Sequence, residues 1–234
     1  MSEPVFHRYE TREALAEALA SGVAAVLAGA IATEGSARLA VSGGSTPRRF
    51  FEKLSVAEID WSNVTVTLVD ERWVPEDSER SNAAMLRRHL LTGPAAEARF
   101  VPFYEPSAMP EEVFDTLNDR FHPIGRAFDA VILGMGTDGH TASWFPHAPG
   151  LDACIDPAAQ DTIAIVHPLG MDKPRVTLTL PPVVDARFLA LHIEGADKRA
   201  TFEAASSGGP VADMPVRAIL AAARAEPLAV FWAP

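Results

Sequence analysis

The stretch Ala37–Leu54, ARLAVSGGSTPRRFFEKL, decides the fold. Its apolar run Leu39–Val41 stops at Gly43-Gly44, and Pro47 stands where a helix begins. A proline suits that place because its ring fixes a helical φ and the first turn has no use for its missing N–H. The stretch therefore reads as strand, tight turn and helix. The same pattern recurs downstream. VTVTLVDE, Val64–Glu71, is a β-branched run ending in charge, and the loop after it leads to SNAAMLRRHLL, which Ser81 can cap. FDAVILGMGTDGH carries another apolar run, Phe128–Leu133, closed by glycines. Further strands are expected at Thr162–His167, Val176–Leu180, Arg187–Glu194 and Leu228–Ala233. Upstream, Tyr9–Thr33 repeats Ala and Leu at helical spacing, and helices are also expected over Pro110–Arg126, Ala196–Ala205 and Pro215–Arg224. Apolar strands alternating with helices predict a parallel sheet covered on both faces. Ligands of such sheets lie beyond the carboxyl ends of the strands.

Composition narrows the class. At 234 residues, with 48% hydrophobic and 22% charged residues, the chain suits one α/β domain spanning residues 1–234. Cys154 is the single cysteine, so no internal disulfide is available, in keeping with a reducing compartment. The first residues, MSEPVFHRYE, lack the basic and apolar regions of a signal peptide. The apolar stretch Gly22–Ala32 is shorter than a bilayer requires, so no membrane span is expected. A formal charge of −11 argues against nucleic acid as a partner. It also repels small anions at long range, so an anionic ligand would need a local cluster of backbone amides and Arg or Lys. The expectation is a soluble cytoplasmic protein, monomer or homodimer, acting on a small molecule.

Three motifs fall at strand ends. SGGSTP, Ser42–Pro47, lets the backbone approach a ligand and offers N–H groups at a helix start, which suit phosphate; a capped tight turn explains it equally well. DERWVP, Asp70–Pro75, carries two carboxylates and Arg72, a group able to bind phosphate or face an oxyanion, although a surface ion pair is the plainer reading. GMGTDGHTASWFP, Gly134–Pro146, places His140 in a glycine-rich loop with Asp138 two residues before it. A neutral imidazole there can take a proton from water, and Asp138 can orient the ring or contact substrate. His140 and His147 have no metal-ligand spacing between them and the cysteine is remote, so no metal is expected. Arg175 and Lys198 are the cations next to later strands.

Taken in order, SGGSTP, VDERWVP followed by SN, GMGTDGHTASWFP, PRVTLTLP and GADKR resemble the 6-phosphogluconolactonase family from about Leu39 to Leu220. The resemblance implies a Rossmann-like three-layer α/β/α sandwich with a mostly parallel central sheet, shared with glucosamine-6-phosphate deaminases. It implies hydrolysis of 6-phospho-D-glucono-1,5-lactone to 6-phospho-D-gluconate, in the oxidative pentose phosphate pathway, without metal or other cofactor. It further implies that His140 is the general base, with Asp138 its partner and Arg72 a catalytic cation. Gly43, Gly44, Ser45, Thr46, Asp70, Arg175 and Lys198 would then bind substrate and its phosphate. In the deaminases the loop carries a glutamate shortly after the histidine, where this chain has Phe145, and tyrosine usually stands at the position of Arg72. Both departures favour the lactonase reading over a deaminase-like enzyme. A non-catalytic sugar-phosphate sensor would have no use for His140 and would carry basic DNA-binding sequence, which is lacking here.

Overall fold

The computed structural model describes residues 3–125 and 128–234. In chain order the first elements are β1 (Val5–Arg8), α1 (Arg12–Glu34), β2 (Ala37–Val41), α2 (Arg48–Leu54), β3 (Val64–Leu68), β4 (Asp70–Arg72), α3 (Asn82–His89), β5 (Arg99–Val101) and α4 (Phe114–Gly125). They are followed by β6 (Ala130–Leu133), α5 (Leu151–Ile155), β7 (Ile163–Val166), β8 (Arg175–Leu178), α6 (Leu180–Val184), β9 (Phe188–Glu194), α7 (Ala196–Ser206), α8 (Arg217–Leu220) and β10 (Ala229–Ala233). Seven strands form one sheet in the order β1-β10-β9-β6-β2-β3-β5, and every neighbouring pair in it is parallel. The expected α/β architecture with a parallel central sheet and flanking helices is therefore the one observed.

The strand order has a switch point. From β2 the chain moves outward through β3 and β5, then returns to the other side of β2 for β6, β9 and β10. The loops leaving β2 and β6 therefore diverge from adjacent strand ends, and that divergence opens a crevice. Both loops carry motifs singled out in the sequence.

Helix α1 begins at Thr11, whose side chain accepts from the Ala14 N–H at 3.1 Å, and ends at Gly35, whose N–H bonds the Ile31 carbonyl at 2.9 Å. The helix is 23 residues long and holds an 18-residue window of mean hydropathy 1.9, by length and composition sufficient to cross a bilayer, which the shorter stretch Gly22–Ala32 concealed. Here it is a core helix. Leu15, Leu19, Val23, Leu27 and Ala30 make a buried stripe at helical spacing, against α2 and strands β2, β6, β9 and β10. On the opposite face of the sheet α7 packs Phe202 against Phe6 of β1, beside Trp232 of β10.

One expected strand is broken. VTVTLVDE does not run straight to Glu71: it leaves the main sheet after Leu68, and Asp70–Arg72 pairs antiparallel with β8. Val69 is the hinge, its N–H bonding the Val41 carbonyl of the large sheet while its own carbonyl accepts from Leu178 of the small one. The expected strands at Thr162–His167 and Val176–Leu180 likewise belong to this three-stranded antiparallel sheet, β4-β8-β7. Two edge strands, β1 and β5, were not anticipated; four and three residues long, they are too short to show a pattern. The helix expected over Pro110–Arg126 opens with a 3₁₀ turn before α4, and its last residue, Arg126, lies outside the described residues. The helix expected over Pro215–Arg224 shrinks to α8.

Glu71 shows why this hinge is firm. Only 1% exposed, its carboxylate accepts from the N–H groups of Arg72, Asn82 and Ala83 and from the Ser81 hydroxyl, at 2.8–3.1 Å. It thereby satisfies donors at the start of α3 that the helix itself cannot. Replacing Glu71 by Ala would orphan those donors inside the protein, so Glu71→Ala is expected to cost about 2–4 kcal/mol. Urea unfolding of the variant checks this.

Candidate active site

The crevice at the switch point is a cleft of about 210 Å³. Ser42, Gly43, Gly44, Thr46 and Pro47 line it from the end of β2, Asp70 and Arg72 from β4, and Asn82 from α3. Gly134, Met135, Gly136, His140 and Ala142 line it from the loop after β6, and His192, Glu194 and Lys198 from β9 and α7.

The glycine turn lies close to its neighbours. Among the described residues, the N–H groups of Gly43, Gly44, Ser45 and Thr46 have no backbone acceptor. A Cβ on Gly43 would fall 2.1 Å from the Asn82 side chain, which is itself fixed by a 3.0 Å bond to the Asp70 carbonyl. Only glycine lets the turn reach this close. Ser45, by contrast, points outward, is exposed and does not line the cleft.

The loop after β6 is built around a pair. His140 Nδ1 lies 2.6 Å from Asp138 Oδ1, and the same oxygen accepts from the His140 N–H at 3.1 Å. That bond holds the Asp138 carboxyl down at about 2, so it is ionised throughout the neutral range. An ionised carboxylate accepts from Nδ1–H, which leaves Nε2 as the nitrogen with a free lone pair. The Phe145 ring packs 4.6 Å from the imidazole, limiting its rotation. Gly136 closes the turn with a 2.8 Å bond from its N–H to the His140 carbonyl. Ala142, at φ 48°, is held in the left-handed conformation that costs a residue with a side chain roughly 1–2 kcal/mol. The loop tolerates it because Trp144 donates to the Leu178 carbonyl at 2.9 Å and the Ser143 hydroxyl donates to the Asp70 carboxylate at 2.6 Å.

The cations do not gather at one point. Arg72 lines the cleft and donates to the Arg80 carbonyl. Arg175 sits opposite Arg72 in the β4–β8 register but does not line the cleft. It is buried, with its guanidinium on the Lys173 carbonyl at 2.9 Å and the Met171 sulfur at 3.3 Å, and burial and the charge of Arg72 both lower its pKa. Lys198 stands on the other side, bonded to the Met135 carbonyl, its pKa lowered by burial and pulled back up by the charge of Asp138. Asp70, expected to touch substrate, spends one carboxylate oxygen on Ser143 and so ties two loops together as well as lining the cleft. Asn82 follows the Ser81 cap in sequence, where it reads equally well as a polar ligand or as part of the cap, and it lines the cleft. His192 and Glu194 were not noted at all, since inside an apolar strand they carry no motif. Among the described residues no three His, Cys, Asp or Glu side chains gather as a metal centre requires.

With fold and cleft described, comparison with known proteins defines the class. Residues 10–231 match the family described as glucosamine-6-phosphate isomerases/6-phosphogluconolactonase, and the chain belongs to that family. Its near relatives lie on the lactonase side. A 6-phosphogluconolactonase of Rhizobium meliloti is 48% identical over 97% of this chain and 98% of its own length. One from Pseudomonas aeruginosa is 45% identical over 94% of this chain and 90% of its own. The crystal structure of a 6-phosphogluconolactonase from Shewanella baltica superposes with a TM-score of 0.95 at 38% identity, covering 100% and 99% of the two chains.

Gly136 offers a direct test of the pair's geometry. A Cβ there would lie 2.1 Å from His140 Nδ1 and 2.4 Å from Asp138 Oδ1. Gly136→Ala is therefore expected to fold and to displace the imidazole, and to lower any turnover that uses this ring for proton transfer by about 10²-fold. Steady-state kinetics beside a thermal melt checks it.

Proposed function

We propose that this chain is a soluble cytoplasmic enzyme that hydrolyses 6-phospho-D-glucono-1,5-lactone to 6-phospho-D-gluconate, with His140 as the general base. The observation that carries the reading is the 2.6 Å contact of His140 with Asp138, which fixes the imidazole on the wall of a cleft that the amide-rich glycine turn also lines. The lactonase relatives support the substrate. Phe145 in contact with the imidazole supports hydrolysis over deamination, because no carboxylate stands there to shuttle protons for ring opening and amine loss.

In this mechanism the phosphate docks on the free amides of Gly43–Thr46. Arg72 is the nearer cation, since Gly43 touches Asn82, Asn82 bonds the Asp70 carbonyl, and Arg72 follows two residues on. Arg175 adds positive field from behind. The sequence left the division of phosphate and oxyanion duty among these three cations undecided, with Arg175 and Lys198 near the phosphate and Arg72 or loop amides at the oxyanion as its working arrangement; the scheme here exchanges Arg72 and Lys198. Lys198, held at Met135 and within the field of Asp138, is better placed for the reacting end. His140 Nε2 removes a proton from water as that water attacks the lactone carbonyl carbon. Asp138 stabilises the imidazolium that forms, and Lys198 with loop amides faces the tetrahedral oxyanion. When the carbonyl reforms, the bond to the ring oxygen breaks and His140 returns its proton there, leaving an open acid with a free hydroxyl.

His140→Ala is expected to lower kcat by about 10²–10⁴-fold with phosphate affinity retained, since general-base catalysis contributes on that scale. Coupling the protein to glucose-6-phosphate dehydrogenase at mildly acidic pH, where the lactone persists, measures it; a folded variant of full activity would remove the assignment. The cations divide by parameter. Arg72→Ala is expected chiefly to raise KM, whereas Lys198→Ala is expected chiefly to lower kcat, and the reverse result would put Lys198 at the phosphate and Arg72 at the oxyanion.

A further inference from the structure

The mechanism above leaves two polar groups of the cleft, Glu194 and His192, without a task. Glu194, at the end of β9, lines the cleft although its side chain is only 7% exposed. Arg12 of α1 holds its Oε2 at 3.3 Å, and the same Arg12 Nε donates to the Pro234 carbonyl at 2.9 Å. His192, two residues earlier on the same face of the strand, places Nε2 3.3 Å from Glu194 Oε1. The imidazole is itself wedged in place, edge-on to Phe50 of α2. A carboxylate as acceptor makes Nε2 the protonated nitrogen, so Nδ1 is an acceptor, and among the described residues it has no partner.

The donor and acceptor count is informative. A carboxylate offers about four lone-pair directions, of which Arg12 and His192 fill two. An enclosed carboxylate with open acceptor positions, beside a buried imidazole acceptor also left open, is a costly arrangement unless a ligand donates to it. The ligand's donor is not phosphate, which a carboxylate repels, and the lactone has no amine. What remains is a hydroxyl. Every ring hydroxyl of a phosphorylated sugar lactone loses water on entering a cleft of this size and needs an acceptor there.

We infer that Glu194, held by Arg12 and oriented by His192, is the specificity-determining residue that accepts a hydrogen bond from one ring hydroxyl of the substrate. This rests on the proposed lactonase activity and adds to it a basis for choosing hydroxylated over deoxygenated substrates. His192 is a positioning residue in this scheme, since it works through Glu194.

The experiment is a kinetic panel of the parent lactone and its 2-deoxy, 3-deoxy and 4-deoxy analogues against wild type, Glu194→Gln, Glu194→Ala, His192→Phe and His192→Gln, each checked by thermal melting. Wild type should show a kcat/KM lower by about 10- to 100-fold for one deoxy analogue, the scale of a lost hydrogen bond to a charged group. Glu194→Ala should lose a similar factor on the parent while leaving that one analogue nearly unchanged. Glu194→Gln, which keeps one acceptor oxygen, should fall between. His192→Phe should lose part of the discrimination, and His192→Gln, which can donate to Glu194 again, should regain it. If the Glu194 variants slow the parent and all three analogues by equal factors, or slow none, the inference is overturned while the lactonase reading stands. If wild type hydrolyses no lactone of the panel, the lactonase reading falls and takes the inference with it.

Discussion

The arrangement of this protein depends on one buried hydrogen bond, the 2.6 Å contact from the Ser143 hydroxyl to the Asp70 carboxylate. Asp70 opens β4, where the chain has just turned out of the large sheet; Ser143 belongs to the loop after β6. A buried carboxylate without a donor would cost several kcal/mol, so the two loops are compelled to meet. The Asp70 carbonyl takes the Asn82 amide, and the Asn82 side chain in turn lies against Gly43. One continuous run of contacts thus links the amide-rich turn on one side of the cleft to the His140 loop on the other. The separation of these two parts is set by hydrogen bonds and by a missing Cβ, not by loop flexibility, which is the condition for placing a reacting atom reproducibly.

The second constraint is electrostatic. With a formal charge of −11 the protein repels an anionic substrate at a distance, so attraction must be local. In the proposed scheme Arg72 and Arg175 supply it in cross-strand register, one lining the cleft and one buried behind it, and burial and the charge of Arg72 lower the pKa of Arg175. Glu194, paired with Arg12, lines the cleft from β9, and Asp138 adds negative charge behind the His140 imidazole. A cleft polarised in this way favours one orientation of a ligand charged at one end and hydroxylated along its length.

The α/β class, the β2 turn and the His140 loop were legible in the sequence because each depends on short-range chemistry. Glycine and proline at fixed offsets declare a turn, and apolar runs of strand length declare a buried sheet. From spacing alone Asp138 could orient the His140 ring or contact substrate, and the tight turn between them brings its carboxylate onto the ring. VTVTLVDE misled for the same reason. Nothing local marks Val69 as shared between two sheets, because the partner that draws Asp70–Arg72 aside, β8, lies a hundred residues further on.

By itself, then, the sequence determined the alternation of strands and helices, the places where loops carry chemistry, and the family. Only the tertiary structure decided which of those loops face one another. It set Arg72 and Lys198 on different elements of one cleft, left Arg175 and Ser45 off its lining, and brought in His192 and Glu194. Each outcome turns on contacts between residues distant in the chain, such as Arg12 with Glu194 or Ser143 with Asp70. Their energies come from burial and hydrogen-bond satisfaction, and these are properties of the packed molecule that no local window of sequence contains.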